Sequence, residues 1–318
     1  MDNFQPLFLM DTTTITVIGT INRDTIYPYE GIRIQSYGGI LYTLIGLTSL
    51  IGERGTLHPI CNLGADIHCS VLDMLAKYPH IDTEGIRVVQ GKNNHAILRY
   101  STPCHRNEFL ENRVPALTFH DIEPYLNCDL VLINFISGFE LTLPVLKRIR
   151  KQFRGMIYID VHSLTLGIAE DGRRFPRCIE NWEEWIRQAD ICQLNHEELQ
   201  VFAGRALQQD EAVGQFATRL LNLGPRVVLV TLGPKGSIVA YNRGPETLWE
   251  RCPASTVPVI DTTGCGDVFS AGFITDFLHS RDPVAATTFA NAVAGLNCTW
   301  SGLENVYTIG HMMLRNRR

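Results

Sequence analysis

Short apolar runs recur along this chain, each separated from the next by an amphipathic stretch, and that alternation leaves few folds open. Residues 130–135 (L-V-L-I-N-F) and 227–232 (V-V-L-V-T-L) are too short for buried helices and too continuously apolar for strands with one wet face. Further strand-like runs lie at 15–19, 57–63, 156–161 and 191–194. Helical patterns fill residues 39–51, 141–154, 195–202, 266–279 and 283–299. Strands buried on both faces and joined through helices predict a three-layer α/β/α sandwich around a mostly parallel central sheet. Residues 26–37 and 95–118 break the rhythm with aromatics, proline and alternating polar positions. They predict a small β lid on one domain that spans residues 1–318.

Bulk properties exclude several classes. The 318 residues are 45% hydrophobic and 19% charged, enough for a large core and too apolar for disorder. A net charge of −5 provides no basic field for nucleic acid or anionic lipid. No apolar run approaches the length of a membrane span, and the first residues lack the pattern of a secretion signal. The nine cysteines are odd in number and include no C-x-x-C pair, which predicts reduced thiols in the cytoplasm. The N-C-T sequon at 297–299 is then a coincidence of sequence.

The chemistry concentrates in V-I-D-T-T-G-C-G-D-V-F-S-A-G-F, residues 259–273. An apolar run leads into Asp261 and a glycine-rich turn, and a helix follows with Phe269, Phe273 and Phe277 four residues apart. Glycines at 264 and 266 let successive N–H groups face one concavity at a helix N-terminus, where free donors and the helix dipole attract anions. Asp267 stands where a carboxylate takes a proton from an attacking hydroxyl. A bare G-x-G-D is equally an N-capped helix after a turn.

The full string D-T-T-G-C-G-D resembles the C-terminal signature of the ribokinase-like (PfkB) carbohydrate kinases, with Cys265 where the family usually has alanine. The resemblance implies an ATP-dependent kinase with Asp267 as general base and the loop of Gly264, Cys265 and Gly266 as anion hole. Other segments resemble family landmarks in the same order. I-T-V-I-G-T-I-N-R-D (15–24) implies sugar contacts at Asn22 and Asp24, and Gly38-Gly39 resembles the double glycine beside the substrate. N-L-G-A-D (62–66) is similar to a family turn. Q-L-N-H-E-E-L (193–199) resembles the N-x-x-E motif, with Asn195 near the phosphates and Glu198 acting on Mg²⁺ through water. V-T-L-G-P-K-G-S (230–237) implicates Thr231, Gly233 and Gly236 in nucleotide binding, as does Asn291 on the closing helix. Asp261 is a further metal candidate. On the residues alone, Asn22 and Asp24 also read as turn residues, Asn195 with Glu198 as a helix cap, and Gly233–Gly236 as a hairpin turn.

Two departures bear on the substrate. Thr43 stands where the family often carries an asparagine that touches the sugar, and residues 159–167 lack the arginine found in keto-deoxy sugar acid kinases. His162 and Ser163 occupy that neighbourhood instead. The resemblance thus implies ATP and Mg²⁺, a neutral sugar or riboside, and a homodimer through the lid. A nucleoside kinase, favoured by Tyr27, Tyr29 and Tyr37, and a catalytically silent ligand-binding homologue are the alternatives.

Overall fold

The computed structural model describes residues 12–102 and 105–315. Strand β1 (Thr13–Ile18) passes through Gly19 and Thr20 straight into β2 (Ile21–Tyr27), which turns back as β3 (Ile34–Gly39). Helix α1 (Ile40–Ile51), β4 (Gly55–Gly64), α2 (His68–Leu75) and β5 (Ile86–Val89) follow. The hairpin β6 (His95–Thr102) and β7 (His105–Glu111) leads to α3 (Phe119–Ile122), β8 (Leu130–Asn134), α4 (Leu143–Gln152) and β9 (Met156–Asp160). A small hairpin, β10 (Leu166–Ile168) and β11 (Arg174–Pro176), precedes α5 (Trp182–Ile186), β12 (Ile191–Asn195), α6 (His196–Ala203), α7 (Asp210–Leu221) and β13 (Val227–Thr231). Strands β14 (Ser237–Arg243) and β15 (Glu246–Cys252) and helices α8 (Cys265–Ser280), α9 (Pro283–Asn297) and α10 (Ile309–Arg315) complete the described chain.

Nine strands form the main sheet in the order β15-β14-β13-β12-β9-β8-β1-β4-β5. Neighbours from β13 to β5 are parallel, and β14 and β15 add an antiparallel edge. The continuous apolar runs are explained by burial on both faces. In β13, Val227 and Leu229 join one core with α1, α8 and α9, while Val228 and Val230 join the opposite core with α4, α6 and α7. Phe269 and Phe273 are buried in the first core, and Phe277 stacks on Phe273 with centroids 5.1 Å apart.

The lid is a four-stranded sheet in the order β3-β2-β6-β7. Its strands begin earlier than expected, at Ile21, and its last strand stops at Glu111 rather than 118. The difference arises because β1 does not end in a turn. It runs on as β2, so Asn22 and Asp24 are strand residues paired opposite Gly38 and Ser36. Asn93 and Asn94 fasten the second half of the lid to the first. Asn93 Nδ2 donates to Ile21 O at 2.7 Å, Arg23 N donates to Asn94 O at 2.9 Å, and Val114 N donates to Asn94 Oδ1 at 2.8 Å. The hairpin β10–β11 docks on the outer lid strand, where Leu110 N donates to Gly172 O at 2.9 Å. The segment 230–237 is the turn of the antiparallel hairpin β13–β14.

Candidate active site

The carboxyl ends of the parallel strands, with the first turn of α8, gather most of the polar residues singled out above. Gly264 is the N-cap of α8 with φ +73°, and a Cβ there would also overlap the Tyr42 ring. The loop before it is held from within. Asp261 Oδ1 accepts from Thr263 N at 2.9 Å and from Thr263 Oγ1 at 2.7 Å, an Asx-turn that employs this carboxylate locally. Asn297 is buried and donates through Nδ2 to Thr263 O at 3.1 Å, which leaves it inaccessible to glycosylation. Gly266 differs from Gly264. A Cβ on it would meet nothing nearer than Gln193 Nε2 at 4.0 Å, so this face of the helix N-terminus is open.

Asp267 lies in the first turn of α8 and is only 7% exposed. Its Oδ1 accepts from Asn134 Nδ2 at 2.6 Å and from Thr43 Oγ1 at 3.4 Å. Burial raises the carboxyl to about 7, and the hydrogen bonds from Asn134 and Thr43 oppose the rise. A carboxylate poised near neutrality accepts a proton during reaction and returns it afterwards. Asn134 closes the apolar run of β8, is fully buried, and keeps its Oδ1 without a partner among the described residues. Sequence reasoning passed over Asn134; the signal was a lone amide closing a buried strand at its carboxyl end.

A second polar network lies behind the helix start. Gln193 Nε2 donates to Gly266 O at 3.1 Å and to Asp160 Oδ2 at 2.9 Å. Its Oε1 accepts from Ser270 Oγ at 3.0 Å and from the Tyr158 hydroxyl. Burial lifts Asp160 well above the usual carboxylate range, aided by the charges of Glu198 and Asp267. Backbone hydrogen bonding from His162, at φ +37°, favours the ionised forms of both Asp160 and Glu198. A left-handed conformation at a non-glycine residue is strained, and here it serves two carboxyl groups.

On the side of β12 and β13, Asn195 and Thr231 are register partners at neighbouring strand ends. Asn195 caps α6 in a reciprocal box with Glu198: Glu198 N donates to Asn195 Oδ1 at 2.9 Å, and Asn195 N donates to Glu198 Oε2 at 2.8 Å. Desolvation, with a smaller contribution from Glu197, raises Glu198 to about 8. Gly233 and Gly236, both at positive φ, bound the β13–β14 turn. Asn291 is buried and engaged internally, with Nδ2 donating to Cys252 O at 3.0 Å and to Ser237 Oγ at 2.9 Å. It ties α9 to the antiparallel edge.

Asn22 and Asp24 lie on one face of β2 and are both buried. A Cβ on Gly38 would collide with Asp24 Oδ2, so the glycine makes room for that carboxylate. Gly39, the N-cap of α1 at φ +69°, packs against Thr20 O in the same way. Asn22 Oδ1 is buried without a partner among the described residues. No arginine follows β9 directly, but β11 returns Arg174, whose Nη2 donates to Ser137 O at 2.9 Å and Ser163 O at 3.3 Å. Among the described residues no cluster of three acidic, histidine or cysteine side chains could hold a metal ion, and no helix is long and apolar enough to cross a membrane.

Comparison with known proteins gives the family and the fold. A family model described as pfkB family carbohydrate kinase matches residues 55–308. The chain is 28% identical over 123 residues to a ribokinase of Haemophilus influenzae, a match that spans only 39% of that protein and 39% of this chain. A ribokinase of Arabidopsis thaliana is 28% identical over 307 residues, covering 89% of this chain and 75% of that protein. The solved structure of Arabidopsis ribokinase complexed with ribose and ATP shares the fold, with a TM-score of 0.71 at 20% identity over 94% of this chain and 99% of that one.

Proposed function

Since the chain belongs to the pfkB family of carbohydrate kinases, we propose that it is a single catalytic domain with a lid that transfers the γ-phosphoryl group of ATP to a hydroxymethyl of a neutral sugar or sugar-like metabolite. One observation carries this reading. Asp267, its carboxyl raised to about 7, accepts from Asn134 at 2.6 Å in the first helical turn, one residue beyond an open Gly266.

Asp267 takes the acceptor's proton as the hydroxyl oxygen bonds to the γ-phosphorus and the bond to the ADP oxygen breaks. Gly264 and Gly266 present N–H groups at the start of a 16-residue helix to the charge that spreads over the phosphoryl oxygens, whereas the Cys265 N–H expected beside them donates to Thr262 O at 3.2 Å and serves the turn instead. The fixed Asx-turn and the Gln193 contact to Gly266 O hold those donors in place before the donor arrives. Asn195, Thr231, Gly233 and Gly236 line the strand ends where ATP lies, with Asn291 bracing the wall behind. The residues fit a magnesium ion that arrives on the nucleotide, because Glu198 can order its water while no protein cage exists among the described residues. When bound, Mg²⁺ neutralises the phosphate oxygens.

Asn22 and Asp24 are the acceptor contacts. A carboxylate accepts from two adjacent hydroxyls and repels an acid, and the orphan Asn22 Oδ1 adds an acceptor. Gly38 makes room for the Asp24 carboxylate, Gly39 for Thr20 O, and Thr43 joins the acceptor side to Asp267 through its hydroxyl. Arg174 Nη2 is engaged by two carbonyls and its charge is opposed by the nearby Glu108 and Glu140, while its Nε and Nη1 are buried without partners among the described residues. Exposed Tyr29 and Ile32 in the β2–β3 turn and Ile34 at the start of the edge strand β3 support pairing with a second copy, and the eight free described cysteines suit the cytoplasm. ADP release with ATP, Mg²⁺ and a panel of neutral sugars, nucleosides and sugar acids tests the reading. Turnover should appear with a neutral acceptor and fall by about two to four orders of magnitude in Asp267→Asn. Activity confined to sugar acids, or retained in that variant, would overturn it.

A further inference from the structure

We propose that Cys265 and Cys298 form an oxidisable dithiol, a modification site that reacts with low-molecular-weight disulfides and, once closed, disables the phosphoryl-binding loop. The first half stands on the side-chain geometry alone; the second rests on the function proposed above. Cys265 is the first residue of α8 and Cys298 is the C-cap of α9. Their sulfurs are 2.9 Å apart, although 33 positions separate them in sequence.

The two cysteines grip opposite ends of the same loop. Cys298 O accepts from Ile260 N at 2.8 Å and from Asp261 N at 3.3 Å, which fixes the segment that enters. Cys265 begins the helix that leaves, with Asn297 Nδ2 3.4 Å from its sulfur. A disulfide needs its sulfurs at about 2.05 Å, so closure shortens the sulfur–sulfur distance by roughly 0.9 Å and pulls on both ends of the loop. Helix α8 is 16 residues long and packed against α1 and α9, so the displacement falls on the short turn that ends in Gly264. Gly264, which ends that turn, is part of the loop that faces the phosphoryl group. A misplacement of about 1 Å in a positioned site costs about a hundredfold in rate.

The chemistry is asymmetric. Hydrogen bonding between the two thiols lowers the pKa of Cys298 and raises that of Cys265; Asp261, the charged group near both, disfavours either thiolate. The half-exposed Cys298 is therefore the attacking sulfur. Its thiolate attacks one sulfur of the small disulfide, forms a mixed disulfide and releases one thiolate. Cys265 then yields its proton to water and attacks the Cys298 sulfur, releasing the second thiolate. Two protein thiols lose two electrons, and the small disulfide gains them as two thiols. The buried Cys61 and Cys192 are unsuited to this role, since burial raises both thiols.

The test uses the whole chain treated with oxidised glutathione and then mapped by peptide mass. The expected product joins the peptides of Cys265 and Cys298, has lost two hydrogens and retains no glutathione. Turnover should fall by about tenfold or more, consistent with a sub-ångström loop shift, and dithiothreitol should restore it. Cys298→Ser should keep basal turnover and be insensitive to the oxidant. If no acceptor in the panel is phosphorylated, the rise in melting temperature given by ATP with Mg²⁺ reads the loop instead; it should shrink on oxidation of the wild type only. Failure of the cross-link to form overturns the proposal. So does a cross-link that leaves turnover and ATP stabilisation unchanged, or equal sensitivity in Cys298→Ser.

Discussion

Replacing Asn134 with leucine keeps the volume of the side chain and removes the donor that lies 2.6 Å from Asp267 Oδ1. A hydrogen bond to a charged group contributes about 1.5–3 kcal/mol, and one pKa unit corresponds to about 1.4 kcal/mol. The carboxyl, already raised to about 7 by burial, should therefore rise by roughly one to two further units. As the proposed base, Asp267 would act only when ionised, so activity should climb with pH through its pKa and be lost below it. In the wild type about half of the enzyme is competent at pH 7; in the variant about a tenth to a hundredth should be, a fall of roughly five- to fiftyfold that vanishes above about pH 10. The assay is kcat/KM for the acceptor from mildly acid to alkaline pH, followed by ADP release. Glu198 also titrates, at about 8, so the profile is repeated in a Glu198→Gln background to assign the limb. A lower plateau with an unmoved limb would reduce Asn134 to packing and refute its role in setting the base.

Gly264→Ala should lower the melting temperature, because a left-handed φ of +73° and the Tyr42 ring both oppose a side chain, whereas Gly266→Ala should leave stability unchanged and raise the KM for ATP. Equal thermal losses in the two variants would contradict this assignment. Asp24→Asn should raise the acceptor KM by about ten- to a hundredfold, the scale of a hydrogen bond to a charged group, and leave the ATP KM alone; an unchanged acceptor KM would remove Asp24 from the site. Glu198→Gln should shift the Mg²⁺ titration of turnover to higher concentration, and an unshifted titration would leave Glu198 as a helix cap only.

The parallel core was legible because burial on both faces writes itself as uninterrupted apolar residues, as in β8 and β13. The antiparallel edge was not: β15 mixes exposed Glu246, Thr247 and Glu250 with one buried cysteine, a pattern that reads as a loop. The start of α8 stood out because the whole string D-T-T-G-C-G-D, and not G-x-G-D alone, matches a family signature. Its supports did not, since Asn134, Asp160 and Gln193 are single polar residues in apolar strands. Only the register of β8, β9 and β12 brings them together. Asn195 and Glu198 show the limit of pattern reading. Cap and ligand are two descriptions of the same atoms, and the capping box is present whichever is true.

Asn22 and Asp24 stand on a strand that leaves the main sheet without a linker, and Gly39 carries the next lid strand directly into α1. A cover attached in this manner cannot swing as a flap. Its first half flexes with the strands that carry Asn22 and Asp24, through Gly19, Thr20 and Gly39. How tightly the acceptor is gripped and how quickly the product departs are then one mechanical coordinate. Substitutions that sharpen preference for one sugar should slow release in proportion, and variants selected for speed should become permissive.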